Sequence, residues 1–175
     1  MLLLLTPLAA ALQLSVVPSH PMTAVDSARQ TRFNETLKQT NDSLNRVRGA
    51  LAGFQRDLET ASGPLVLERA RHVVAGCRAG RAGVARLDSL LAVETYSPHS
   101  GNAQSRLRQG NSKLRATLGR CLEEWAVPDP TPPTRSDSLR AWGPYRAAGI
   151  MSALREYAFT VSSFTEAAGL DKPKP

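Results

Sequence analysis

VLERARHVVAGCRAGRAGVARLDSLL, residues 66–91, decides the fold. Val66, Ala70, Val73, Cys77, Gly80, Val84, Leu87 and Leu91 recur at alternating steps of four and three, and the charged residues fall between them. That spacing puts one narrow apolar stripe on a helix, and a narrow stripe packs against other helices rather than a sheet. The same step appears upstream at Phe33, Leu37, Thr40, Leu44, Val47, Leu51, Phe54, Leu58 and Ala61, and downstream at Ala147, Ile150, Leu154, Tyr157, Val161, Phe164 and Ala168. Leu107, Leu114, Leu118, Cys121, Leu122 and Trp125 supply a further apolar face between them.

The punctuation sets the helix limits. Ser62-Gly63-Pro64 closes a first helix begun near Val25, because Gly ends helices and Pro opens them. The second helix is expected from Pro64 to about Thr95, with a turn over Tyr96–Gly101, and the third from Asn102 to Ala126. Val127-Pro128-Asp129-Pro130-Thr131-Pro132-Pro133 is too rich in proline to be helical and is expected to run as a stiff extended spacer. A short turn at Ser136–Trp142, a break at Gly143-Pro144 and a fourth helix from Pro144 to Ala168 complete the reading. The first two connections are too short for anything but antiparallel neighbours. The expected fold is all-α, an up-down-up-down four-helix bundle over residues 25–170 with a flexible tail at 171–175.

Ahead of the bundle, residues 1–17 carry no charge, and Pro18 and Pro21 end the apolar run. That run is short for a membrane span but suits the apolar core of a secretory signal, with Met22-Thr23-Ala24 as a small-residue exit. Residues 1–24 therefore read as a leader and the protein as exported, to the periplasm or outside the cell. No Lys or Arg precedes the run, so anchoring to an inner membrane through residues 1–17 is the alternative. The cysteines agree with export. Counted from Pro98, Cys77 lies 21 residues before the turn and Cys121 lies 23 after it, so an antiparallel hairpin brings both to one height on facing stripes. A disulfide between them is expected.

With 22 basic and 15 acidic residues the chain carries a net charge of +7. Residues 64–120 hold ten basic groups and three acidic ones, so this hairpin carries the excess. Arg106, Lys113 and Arg120 recur every seven residues on one helix face, and Arg108 and Arg115 form a second short row. Such a face suits an anionic envelope component or an acidic protein, and the same pattern also describes a solvated helix face. Nucleic acid is a poor partner because no aromatic platform interleaves with the charges. Catalytic chemistry has no footing. His20, His72 and His99 are too scattered to share a metal ion, no Cys-x-x-Cys or Glu-x-x-His occurs, and Gly-x-Ser-x-Gly and Walker loops are missing. No enzyme, cofactor or metal is expected.

Gly76, Gly80 and Gly83 interrupt the middle of the second helix, each weakening it by about 1 kcal/mol relative to Ala. Reflection about Gly63 sets Gly76 level with Ala50, beside Gly49 and Gly53. Small residues facing small residues imply either close helix approach or a narrow apolar pocket able to carry a small hydrophobe.

Finally, Ala141-Trp142-Gly143 and Arg146-Ala147-Ala148 follow the Pro-rich spacer, and Asn34-Glu35-Thr36 and Asn41-Asp42-Ser43 match glycosylation acceptors. Over about fifty residues this end of the chain resembles the long-chain secreted helical cytokines. The resemblance implies a secreted ligand with up-up-down-down helices. Ser62-Gly63-Pro64 departs from it, since that arrangement needs a long first crossover. The sequence thus reads as a non-enzymatic exported binding or scaffold protein, with a cytokine-like ligand or a carrier of a small apolar molecule as alternatives.

Overall fold

The stripes close on one another in the structure, a computed structural model that describes residues 24–96 and 101–170. The elements are α1 (Ala24–Asp57), α2 (Gly63–Val93), α3 (Gly101–Glu124) and α4 (Arg135–Ala167). Every stripe position of α2 is buried, from Val66 through Cys77 and Gly80 to Leu91. Phe33, Leu44, Val47, Leu51 and Phe54 of α1 and Ala147, Ile150, Leu154, Tyr157, Val161 and Phe164 of α4 join them in one core.

Contacts between ends fix the topology. Arg32 near the start of α1 pairs with Glu94 after α2 at 2.7 Å. Gln104 near the start of α3 donates to the carbonyls of Leu91 and Glu94 at 2.8 Å. Lys113 meets Glu156 across α3 and α4 at 2.6 Å, and Phe33 meets Phe164 across α1 and α4 with ring centres 5.4 Å apart. Successive helices are therefore antiparallel, in the up-down-up-down order, and not in the order that the cytokine resemblance implies. Residues 58–62 suffice to turn α1 into α2.

The expected disulfide geometry is present. The sulfurs of Cys77 and Cys121 lie 2.10 Å apart with Cα atoms 6.3 Å apart, tying α2 to α3 within the core. The α1–α2 seam shows why the glycines are there. A Cβ on Gly80 would stand 2.8 Å from Val47 Cγ2, one on Gly76 3.2 Å from Val47 Cα, and one on Gly83 3.1 Å from Ser43 Cβ. The helices approach closely enough for the buried Thr40 hydroxyl to donate to Gly83 carbonyl at 3.0 Å.

One expectation fails at Gly143-Pro144. There is no break: α4 starts at Arg135 and runs through Pro144. Its extra N-terminal turns do work that offsets the lost proline hydrogen bond. Arg140 donates to the carbonyls of Leu58 and Ala61 just beyond α1, the first at 2.6 Å. Arg135 donates to the carbonyls of Glu124 and Ala126 at the end of α3, the latter at 2.6 Å, and lies 5.5 Å over the Trp142 ring. Two cations thus satisfy carbonyls at and just past the C-terminal ends of two helices, where the helix dipole favours positive charge. Gly143 itself sits against Phe54, where a Cβ would come within 2.7 Å of the ring. The spacer before α4 is bent rather than extended, with Thr131 Oγ1 donating to Pro128 carbonyl at 2.7 Å. At the far end, Gly169 adopts φ 66°, a left-handed conformation that glycine takes without penalty, and closes α4. The expected leader, the centre of the α2–α3 turn at 97–100 and the tail lie outside the described residues. Among the described residues no helix is long and apolar enough to cross a membrane.

Candidate interaction face

The five cations read from the sequence divide between two seams. Arg108 and Arg115 turn toward α2, where Asp88 lies 3.7 Å from the first and 3.5 Å from the second. Asp88 also accepts from Asn111 Nδ2 at 3.3 Å, and Asn111 Oδ1 accepts from the Tyr157 hydroxyl at 2.8 Å. Asn111 is fully buried, so a polar chain runs from Asp88 into the core between α3 and α4. Burial, with the nearby Asp88 charge, raises the Tyr157 pKa above the usual tyrosine value. Asn111 interrupts the apolar stripe between Leu107 and Leu114, the one signal of this chain available beforehand.

Arg106, Lys113 and Arg120 stay together, on the seam that α3 forms with α4. Three depressions run along it. The widest, about 510 Å³, lies between Arg106, Lys113, Glu156 and Phe159. A narrow one of about 50 Å³ shares Gly110, Lys113, Glu156 and Thr160 with the first and reaches Thr117 and Ala153. The third, about 320 Å³, includes Thr117 and Ala153 again and is flanked by Arg120, Tyr145 and Arg146. Shared lining residues make the three one trough. Its floor is set by small residues: a Cβ on Gly110 would meet Thr160 Cγ2 at 3.3 Å, and Gly149 carries none.

Two aromatic side chains stand exposed along this trough. Phe159 is 76% exposed and Tyr145 78%. Both lie off the α4 stripe, two residues from the buried Tyr157 and Ala147, so helix geometry turns them away from the core. The sequence reading passed over them because it followed the stripe; an aromatic beside a stripe was the available signal. Four cations and two carboxylates border the trough, Glu156 paired with Lys113 at 2.6 Å and Glu124 with Arg146 at 3.5 Å. Pairs this exposed contribute about 0.2–1 kcal/mol, so the cations can exchange partners at little cost.

The pocket expected at Gly76, Gly80 and Gly83 is occupied instead by α1. Val47 fills the space at Gly80, and Ser43 and Thr40 fill that at Gly83. What stays open is an outer groove of about 490 Å³ beside Gly76, floored by Gly49, Ala50 and Gly53 and bordered by Arg46, Arg69 and His72. His72 is exposed there, while His20 and His99 lie outside the described residues. Among the described residues no three His, Cys, Asp or Glu side chains gather where they could hold a metal ion.

The fold and its faces define a four-helix bundle with one α2–α3 cysteine bridge and a basic, aromatic-flanked trough. Comparison with protein-family models, curated proteins and solved structures finds no match to this chain.

Proposed function

We propose that this chain is a non-enzymatic exported binding protein whose working surface is the α3–α4 trough. One observation carries the reading: Phe159 and Tyr145 stand in water along a concave seam that also collects Arg106, Lys113 and Arg120. Covering an exposed aromatic ring is worth about 1.5–3 kcal/mol, so two anchors on one seam are a substantial unused source of binding energy. The cations add steering and specificity toward an acidic partner. Export is supported by the apolar leader in the sequence and by the paired cysteines, which suit an oxidising compartment. The carrier alternative has less support, because the glycine seam is filled and the trough is open along its length.

A photocrosslinking amino acid placed at position 159, and separately at the exposed Arg86 on α2, tests the reading in the cells that make the protein. The expected result is a discrete adduct from position 159, absent from position 86 and weakened by added salt. Equal adducts from both positions, or none from position 159, would refute it.

A further inference from the structure

We infer that the trough receives an acidic amphipathic helix of a partner protein, laid along the α3–α4 seam with two apolar side chains seated against Phe159 and Tyr145. The inference rests on the trough being the working surface and adds the identity of its occupant. Its basis is a matched period. Arg106, Lys113 and Arg120 step by seven residues along α3, about 10.5 Å per step. Tyr145 and Phe159 are separated by fourteen residues on α4, about 21 Å and twice that step. Because α3 and α4 are antiparallel, Arg106 lies by the depression flanked by Phe159, and Arg120 by that flanked by Tyr145, with Lys113 between. A helix with apolar residues at two positions fourteen apart and carboxylates at seven-residue steps beside them satisfies both rows at once. An extended strand rises about 3.3 Å per residue and alternates faces, so it meets the two anchors but has no reason to repeat with the cations.

Charge and shape agree with that occupant. The bordering side chains leave an excess of cations, which opposes a basic helix and favours an acidic one. The concave floor of Gly110, Thr117, Gly149 and Ala153 admits the ridge of a helix, whereas a lipid surface would rest on the rim and leave the floor wet.

The test selects binders from a displayed library of helices about 20 residues long, matched to the length of the trough, with surface positions randomised among acidic, basic, small and apolar residues. The full-length protein with its cysteines paired is the bait. Enriched helices are expected to carry Asp or Glu at seven-residue steps and two apolar anchors. Phe159→Ala should weaken their binding about thirty-fold, the behaviour of an aromatic anchor covered on binding. Arg106→Glu and Arg120→Glu should each weaken it several-fold, while Arg86→Glu on α2 should not. All four positions are exposed, and circular dichroism melting of each variant is the check that it folds. Enrichment of neutral or basic helices overturns the inference, as does self-association of the protein through the trough. Acidic helices whose binding ignores the α3–α4 variants overturn the working surface as well. Adsorption to phosphatidylglycerol vesicles that is lost with those variants, without acidic helices being enriched, keeps the surface and overturns the partner class.

Discussion

Replacing Gly80 by Ala tests the close approach of α1 and α2 most directly. Two terms oppose each other. Ala is the better helix former in a helix interior, by about 1 kcal/mol. Against it, the new Cβ would stand 2.8 Å from Val47 Cγ2, and 3.3 Å from Leu118 Cδ1 and Leu44 Cδ2. Val47 is β-branched and held near one χ1 rotamer in a helix, so it cannot swing aside. The helices must separate or Val47 must leave its rotamer, and overpacking of this kind costs about 1–3 kcal/mol. Gly119→Ala on α3 supplies the control, because nothing lies within 4 Å of a Cβ there. The propensity gain is common to both variants and cancels in their difference. Gly119→Ala is expected to stabilise by about 1 kcal/mol, and Gly80→Ala to fall below it by about 1–3 kcal/mol. At about 2–4 °C per kcal/mol for a chain of this size, the two melting temperatures should separate by several degrees. Urea denaturation followed by circular dichroism reads the same difference. Equal stabilisation by both substitutions would refute the close seam at Gly80.

Breaking the Cys77–Cys121 bridge by paired Ser substitution should cost about 4 kcal/mol for a loop closed across 44 residues, measured by denaturation; free, alkylatable thiols in protein purified without reductant would contradict the pairing. Tyr157→Phe leaves buried Asn111 Oδ1 without its donor and should destabilise by about 1–3 kcal/mol, with much of that loss absent when Asn111 is already Leu; an additive double-mutant cycle would show that the chain from Tyr157 to Asp88 is not one unit. Acid should weaken the fold through Glu94. Burial raises its pKa, but the hydrogen bonds from Tyr96 and Arg32 and the charges of Arg32 and Arg29 outweigh that and hold it below 4.5, so its contribution is present above that value and lost as pH falls through the folded pKa. Alkali acts in the opposite sense. Burial raises Tyr96 and Tyr157 above 10, their stabilising contribution is complete below 10, and it is lost as pH rises past that value. Unfolding midpoints against pH should therefore decline at both ends, and Glu94→Gln should flatten the acid limb; an unchanged acid limb in that variant would contradict the role of Glu94.

The fold was legible in the sequence because burial on a helix is a matter of period, and the α2 stripe from Val66 to Leu91 holds its period without a slip. The Gly143-Pro144 break was misread for a different reason. Local punctuation predicts an end, but the decision belongs to tertiary partners: Arg140 reaches Leu58 at the end of α1, 82 residues away, Arg135 reaches back across the proline-rich spacer to the end of α3, and Phe54 needs the space that only glycine leaves. No local reading contains those partners. The trough was half legible. Arg106, Lys113 and Arg120 announced themselves by their seven-residue step, whereas Arg108 and Arg115 looked equivalent until Asp88 of α2 drew them to the other seam. Tyr145 and Phe159 were hidden by resembling further core residues of an apolar helix, although their offset from the stripe placed them outside it.

The seams also differ in how firmly they are tied, and this bears on which one can serve a partner. The α1–α2 seam is sealed by backbone-close glycines and by Thr40 donating to Gly83. The α2–α3 seam carries the cysteine pair and Asp88, which engages Arg108, Arg115 and Asn111. The α4–α1 seam is closed by Phe33 on Phe164 at one end and by Arg140 on the α1 terminus at the other. The α3–α4 seam is held firmly near Trp125 and Trp142, with ring centres 5.4 Å apart, and by Tyr157 on Asn111. Toward Phe159 its outer surface offers the exposed Lys113–Glu156 pair, which salt and competing charges readily loosen. A partner bound there covers an outer surface held by an exposed ion pair and disturbs none of the contacts that hold the other seams together. A rigid frame of α1, α2 and α3 with an open flank along α4 is therefore suited to binding without rearrangement, and the exposed aromatics occupy that flank.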